Sequence, residues 1–282
     1  MIRLTLLASL VSTICLSAKP IIIDDREIAK SLSETISKYA EAEEGPSADE
    51  LRKQLESAPS KLDEPIQQSD SDGTPNESVY LISSAYNCGK CSKWHLGGIA
   101  TAWALTTDGL MVTNFHVIEK AKGAAMAVTG VDGNVHRIEK ILAADKPNDI
   151  AIFKVDAKNL KPLRLSKPAP IGEKVEVISN PDSRFFTHTF GHVSRYHRKR
   201  SNKEKDGPYL MSITADYAKG SSGGPVLGSN QQVVGMVTST QSIYYKSSRG
   251  AEPKGPLQMV VKNCVPVSAI SAMLNTSSKA SD

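Results

Sequence analysis

The chain has 282 residues, with 34 Lys and Arg against 30 Asp and Glu, a formal net charge of +4. That length accommodates a domain of about 200 residues plus an extension. There is no internal repeat and no glycine pattern of a dinucleotide or P-loop site, which sets those architectures aside, and no groove-reading motif accompanies the basic residues, which argues against nucleic acid.

Arg3 precedes an apolar run from Leu4 to Leu16, followed by Ser17-Ala18 and Lys19-Pro20. This order of charged, apolar and small residues predicts a signal peptide over 1–18, cleaved after Ala18. The run is too short to span a membrane. Ile14 before Cys15 argues against a lipoprotein. The rest of the chain is therefore expected to be exported, periplasmic or secreted, into an oxidising compartment.

Residues 19–78 form an acidic segment, with 15 acidic and seven basic residues. Ile28, Leu32, Ile36 and Ala40 recur every fourth position, which predicts a helix with a narrow apolar stripe that Gly45-Pro46 stops. Ser47 and Glu50 have the spacing of a capping box, opening a second helix through about Ser57. Residues 58–78, rich in Pro, Ser, Asp and Gln, read as a linker. The segment is either a solvated acidic spacer or an element that docks on the following domain or on a second copy.

The remainder is built of short β-prone runs between Gly, Pro and Asn turns, an all-β pattern. Thr107-Asp108-Gly109 and Val131-Asp132-Gly133-Asn134 sit between apolar runs as hairpin turns. Cys88-Gly89-Lys90-Cys91 lacks the βαβ surroundings of a redox motif, and Ser92 after Cys91 argues against a c-type haem. A local Cys88–Cys91 disulfide that leaves Cys264 free is the plainer reading in an exported protein; a zinc site of Cys88, Cys91, His95 and Cys264 is the alternative. Arg195-Tyr196-His197-Arg198-Lys199-Arg200, continuing to Lys203 and Lys205, reads as a solvated basic loop able to attract acidic partners.

Three blocks carry chemistry. Met111–Val117 runs from an apolar strand into His116. Asn148–Val155 places Asp149 just before an alternating strand. Lys219-Gly220-Ser221-Ser222-Gly223-Gly224-Pro225 puts a serine in a glycine turn. Each alone is ordinary: a histidine after a strand is usually structural, and Asp and Gly/Ser clusters are common in turns. In this order they supply what a serine nucleophile needs, a neutral imidazole to take its proton and a carboxylate to orient that imidazole. His95, His136, His188, His192 and His197 have no comparable setting and read as surface or strand-packing residues.

The blocks Thr113-Asn114-Phe115-His116-Val117, Asn148-Asp149-Ile150-Ala151-Ile152 and Gly220–Pro225 resemble those of trypsin-like serine peptidases, in the style of the HtrA/Deg group, over roughly residues 79–275. The resemblance implies two antiparallel six-stranded β-barrels of chymotrypsin type, here with a short helical N-terminal extension and a tail at 276–282 too short for a PDZ domain. It also implies an endopeptidase acting on proteins or peptides without cofactor or metal. By position His116, Asp149 and Ser222 match the catalytic residues, and Gly220, Ser221 and Ser222 the oxyanion turn, with the N–H groups of Gly220 and Ser222 as donors. Ser221 departs from the usual Asn or Asp, so the support behind the turn differs. Asp216 falls where enzymes with a basic preference carry a carboxylate at the pocket floor. Thr238, Ser239 and Thr240 fall on the strand lining the cleft, with Thr240 narrowing it. The expected preference is for small or medium aliphatic residues. The alternative function is a non-catalytic protein that holds an extended peptide in the same cleft by strand addition.

Overall fold

The computed structural model describes residues 22–66, 68, 74–198, 208–246 and 254–276. The leader expected at 1–18, residues 199–205 of the basic run and 277–282 of the tail lie outside them.

In chain order the described residues form α1 (Asp25–Glu41), α2 (Ala48–Ser57), β1 (Pro65–Ile66), β2 (Val79–Asn87), β3 (Trp94–Leu96), β4 (Ala100–Ala104), β5 (Leu110–Thr113) and α3 (Phe115–Glu119). Next come β6 (Ala125–Thr129), β7 (Val135–Asp145), β8 (Ile150–Val155), β9 (Lys174–Ser179) and β10 (Thr187–Arg198). The last are β11 (Tyr209–Ile213), β12 (Pro225–Leu227), β13 (Val233–Lys246), β14 (Lys254–Pro266), α4 (Val267–Ser271) and β15 (Asn275–Thr276). The two expected six-stranded barrels are present. The first runs β2-β4-β5-β8-β7-β6, closed by pairing of β2 with β6, and β3 adds to β2. The second closes in the order β10-β11-β14-β13-β12-β9.

Strand alternation sorts the core into two sides. Ile150 and Ile152 of β8 join a cluster that holds Leu32 and Ile36 of α1, whereas Ala151, Phe153 and Val155 join one that holds Leu51 and Leu55 of α2. Successive side chains of a strand point to opposite faces, so one strand serves both. The first cluster also takes in Ile178, Leu227, Met236 and Val265 of the second barrel, so it joins the two halves.

Both N-terminal helices form where expected. The Asp24 carboxylate accepts from the N–H groups of Arg26 and Glu27 at 3.1 Å and opens α1. In α2 the Ser47 N–H donates to Glu50 Oε2 at 2.8 Å, and the Glu50 N–H donates to Ser47 Oγ at 3.2 Å.

The spacer reading of this segment does not hold. Ile28, Leu32, Ile36 and Ala40 are all buried against the barrels. The Arg52 guanidinium donates to Glu119 O, and Gln54 accepts from the Ile141 N–H at 2.9 Å. Within the stretch read as a linker, Pro59 O accepts from Ala144 N–H and the Leu62 N–H donates to Met273 O. Pro65-Ile66 then pairs in parallel with Asn275-Thr276. Polar composition misleads in this stretch because backbone groups, whatever their side chains, can make such contacts.

The basic run differs too. Arg195–Arg198 belong to β10 and pair with Ser212–Tyr209 of β11 rather than forming a loop. The ladder uses the backbone, and the Tyr196 hydroxyl donates to Ala169 O at 2.6 Å, so the dense charge does not prevent a strand.

Candidate active site

β5 ends at Thr113 and the chain turns into α3, a single helical turn held by buried Phe115 and Ile118. His116 thus sits on a helix just past the strand. Asn114, buried, donates through Nδ2 to Asp149 O at 3.0 Å, tying this corner to the next block.

Asp149 lies in a turn that Asp145 organises by accepting from the Asn148 N–H and side-chain amide at 3.0 and 2.7 Å. Its φ is +61°, a left-handed conformation that Asp tolerates better than most residues. The carboxylate accepts from His116 Nδ1 at 2.8 Å, from the His116 backbone N–H at 3.0 Å and from the Thr238 hydroxyl at 2.5 Å. An ionised carboxylate only accepts, so Nδ1 carries the imidazole proton and Nε2 is left as acceptor. Ser222 Oγ lies 3.0 Å from that Nε2.

Ser222 stands in a turn that only glycine permits. Gly220 has φ +100°, and a Cβ there would lie 2.2 Å from Asn180 O. Gly223 has φ +87°, and a Cβ would lie 2.0 Å from Thr101 O. The Lys219 carbonyl is turned away by the Asp182 N–H, which donates to it at 2.6 Å. Thr101 Oγ1 holds Gly220 O at 2.9 Å, and the Thr101 N–H donates to Ser222 O at 2.8 Å. Among the described residues nothing accepts from the N–H groups of Gly220 and Ser222. Ser221 is fully buried, and its hydroxyl accepts from Ser179 Oγ at 2.9 Å. A serine pair thus supports the turn from behind.

Ser222 and His116 open onto a cavity of about 410 Å³, whose walls include Tyr86, Gly97, Gly98, Lys120 and Gly220. A family model for the trypsin-like peptidase domain matches residues 100–236. "Putative serine protease HhoB" of Synechocystis sp. is 32% identical over 149 residues, 51% of this chain and 35% of that protein. Protease Do-like 1, chloroplastic, of Arabidopsis thaliana is 31% identical over 151 residues, 51% of this chain and 34% of that protein. A probable periplasmic serine endoprotease DegP-like of Chlamydia muridarum is 33% identical over 144 residues, 50% of this chain and 28% of that protein. Residues 100–236 are therefore a trypsin-like peptidase domain. The chain spans about a third of the length of these relatives.

In this trypsin-like domain the residues named for specificity separate. Asp216 does not form a pocket floor: its side chain is 88% exposed and lies 3.2 Å from Lys262 Nζ. Lys262 is nearly buried, donates to Tyr217 O at 2.8 Å and sits 5.1 Å from the centroid of the Tyr217 ring. Between buried Ala215 and Tyr217 the Asp216 side chain faces outward, a direction that counting positions does not reveal. Thr238, expected to contact substrate, spends its hydroxyl on Asp149. Ser239 and Thr240 follow on β13 and are exposed. The Gly223 N–H and Gly224 O bond to Val237, which lays β13 beside the nucleophile turn. Beyond Val237 no strand pairs with that edge among the described residues. Thr101, Asn114 and Ser179 were missed in the sequence because a polar residue in a strand, or just past one, carries no mark of what it will face.

The Cys88–Cys91 disulfide is not present. The two sulfurs are 3.5 Å apart and both residues are free thiols, where a bond needs about 2.05 Å. The turn that carries them brings the sulfurs near without joining them, and His95 Nε2 lies 3.1 Å from Cys91 Sγ. Cys264 is elsewhere, buried in the second barrel beside the Tyr217 hydroxyl, so the four-residue zinc set is not assembled. The backbone N–H of Lys90 and the Cys91 thiol pull the Cys88 thiol down to about 7, whereas burial pushes Cys264 up to about 12.

Proposed function

We propose that this chain is an exported serine endopeptidase, with residues 79–275 as the peptidase unit and the N-terminal helices as a built-in brace. The observation that carries this reading is the unbroken series Asp149–His116–Ser222, with contacts of 2.8 and 3.0 Å, beside two unengaged N–H groups.

The chemistry follows from these positions. Ser222 Oγ attacks the scissile carbonyl carbon while His116 Nε2 takes its proton, and Asp149 stabilises the resulting imidazolium. The carbonyl oxygen becomes the oxyanion held by the N–H groups of Gly220 and Ser222. Collapse breaks the C–N bond, and the amine leaves with the proton from His116. Water then attacks the acyl-enzyme by the same route and releases the acid. The substrate backbone adds to the open edge of β13 at Thr238–Thr240.

The expected preference is for small or medium aliphatic residues rather than Arg or Lys. Asp216 is neutralised by Lys262 and faces solvent, which supports this reading. Export rests on the pattern of residues 1–18, and a relative is named as periplasmic.

A peptidyl phosphonate incubated with the protein tests the reading. The expected result is one covalent adduct located at Ser222 by peptide mass spectrometry, absent in Ser222→Ala. No adduct, or an adduct on another residue, overturns it.

A further inference from the structure

The hairpin of β2 and β3 carries a group that the hydrolytic chemistry does not use. Tyr86 pairs with His95 and Asn87 with Trp94, so the six residues 88–93 must reverse the chain. Asn87 Oδ1 accepts from the Gly89 N–H at 2.7 Å, and Gly89 takes φ +69° to make the turn. The reversal sets Cys88 Sγ and Cys91 Sγ 3.5 Å apart, and the returning strand delivers His95 Nε2 to 3.1 Å from Cys91 Sγ. The His95 ring rests against Tyr86, with centroids 5.7 Å apart. All three ligand atoms lie within 4.8 Å of one another, and no other such group of three occurs among the described residues.

We propose that Cys88, Cys91 and His95 form a surface site for one thiophilic divalent cation, zinc being the ion that fits its donors best. Two sulfurs and one imidazole nitrogen favour zinc over calcium or magnesium, which take oxygen ligands. A tetrahedral zinc with Zn–S of about 2.3 Å and Zn–N of about 2.0 Å sets its sulfurs roughly 3.8 Å apart and sulfur from nitrogen roughly 3.5 Å apart. The observed separations are a few tenths of an ångström shorter, and residues at an exposed turn can open by that amount. Cys91 is exposed, so the fourth position faces solvent and takes water or a donor from another molecule. Cys264 does not compete for that position because it is packed inside the second barrel.

The location gives the ion a consequence. The same hairpin supplies Ser84 and Tyr86, and the chain leaving it supplies Gly97 and Gly98, to the wall of the cavity that Ser222 faces. A bound cation fastens the two arms of the hairpin across its tip and so stiffens one rim of the cleft.

The test is a zinc titration of the full chain, kept reduced with a phosphine, against a chromophoric chelator, with cobalt in parallel for its thiolate charge-transfer band. One zinc per chain is expected, with Cys88 and Cys91 protected from alkylation. Outer-shell changes cost a metal site about 10- to 100-fold in affinity, so Cys91→Ser and His95→Ala are expected to lose at least about 100-fold. Cys264→Ala should bind as the parent does. Uptake well below one per chain by the reduced protein overturns the proposal. So does unchanged affinity in Cys91→Ser or His95→Ala whose circular dichroism matches the parent.

Discussion

The hydroxyl of Thr238 lies 2.5 Å from Asp149 Oδ2, the same oxygen that holds His116 Nδ1 at 2.8 Å. Thr238 belongs to the second barrel and Asp149 to the first, so one hydrogen bond fixes the carboxylate across the junction. A hydrogen bond to a charged group contributes about 1.5–3 kcal/mol, and each 1.36 kcal/mol is roughly tenfold in rate. Thr238→Val is therefore expected to lower kcat about 10- to 100-fold with little change in KM, and Thr238→Ser to restore it. An unchanged kcat in the valine variant would show that Asp149 is oriented without it.

Ser222→Ala is expected to lower peptide hydrolysis by about 10⁴- to 10⁶-fold while the thermal midpoint stays within a few degrees. Ser221 cannot substitute, because it is buried with its hydroxyl bonded to Ser179. Steady-state rates on a fluorogenic peptide decide it, and residual activity of a few per cent sinks the assignment.

Gly220→Ala tests the oxyanion turn separately. The methyl group would meet Asn180 O at 2.2 Å, at a φ of +100° that alanine resists, so the turn must shift. Loss of one oxyanion donor costs about 10²- to 10³-fold in kcat. A variant with parental kcat would place the oxyanion elsewhere.

The N-terminal helices are expected to be indispensable to the fold. Leu32→Ala should cost about 2–5 kcal/mol, the range for emptying a closed core site, read as a fall in the urea midpoint. Asp25 Oδ1 also accepts from the Phe185 N–H at 2.9 Å, in the segment whose Asp182 N–H holds Lys219 O. Asp25→Ala should therefore reduce kcat more than it reduces stability. If removing residues 22–57 leaves a fully stable, active protein, the brace is refuted.

Thiol reactivity should separate the cysteines in metal-free, reduced protein. The thiolate is the reactive form, and Cys88 sits at about 7 against about 12 for Cys264. Iodoacetamide at pH 8 is expected to label Cys88 and leave Cys264 intact, and labelling of Cys88 should slow as pH falls through about 7. Equal labelling of both under native conditions would contradict the burial of Cys264.

The blocks around His116, Asp149 and Ser222, the stripe of the first helix, the start of the second and the all-β class were legible in the sequence because their signals are local, and the two-barrel expectation came from the resemblance those blocks carry. An apolar strand that runs into His116, a glycine that alone fits the turn at 220, and a Ser47–Glu50 cap each depend on residues a few positions apart. Three-dimensional packing decided the rest. Asp25 reaches Phe185, Thr238 reaches Asp149, and Lys262 neutralises Asp216 across separations of tens of residues or more, which no period or spacing encodes. Cys264 entered the alternative zinc set with Cys88, Cys91 and His95 by residue type alone, and its strand runs inside the other barrel. The acidic N-terminal segment admitted both a spacer and a docking reading because its charge is visible in the sequence and its packing surface is not. Its stripe of Ile28, Leu32, Ile36 and Ala40 gains its stabilisation only when a barrel surface of matching shape removes it from water.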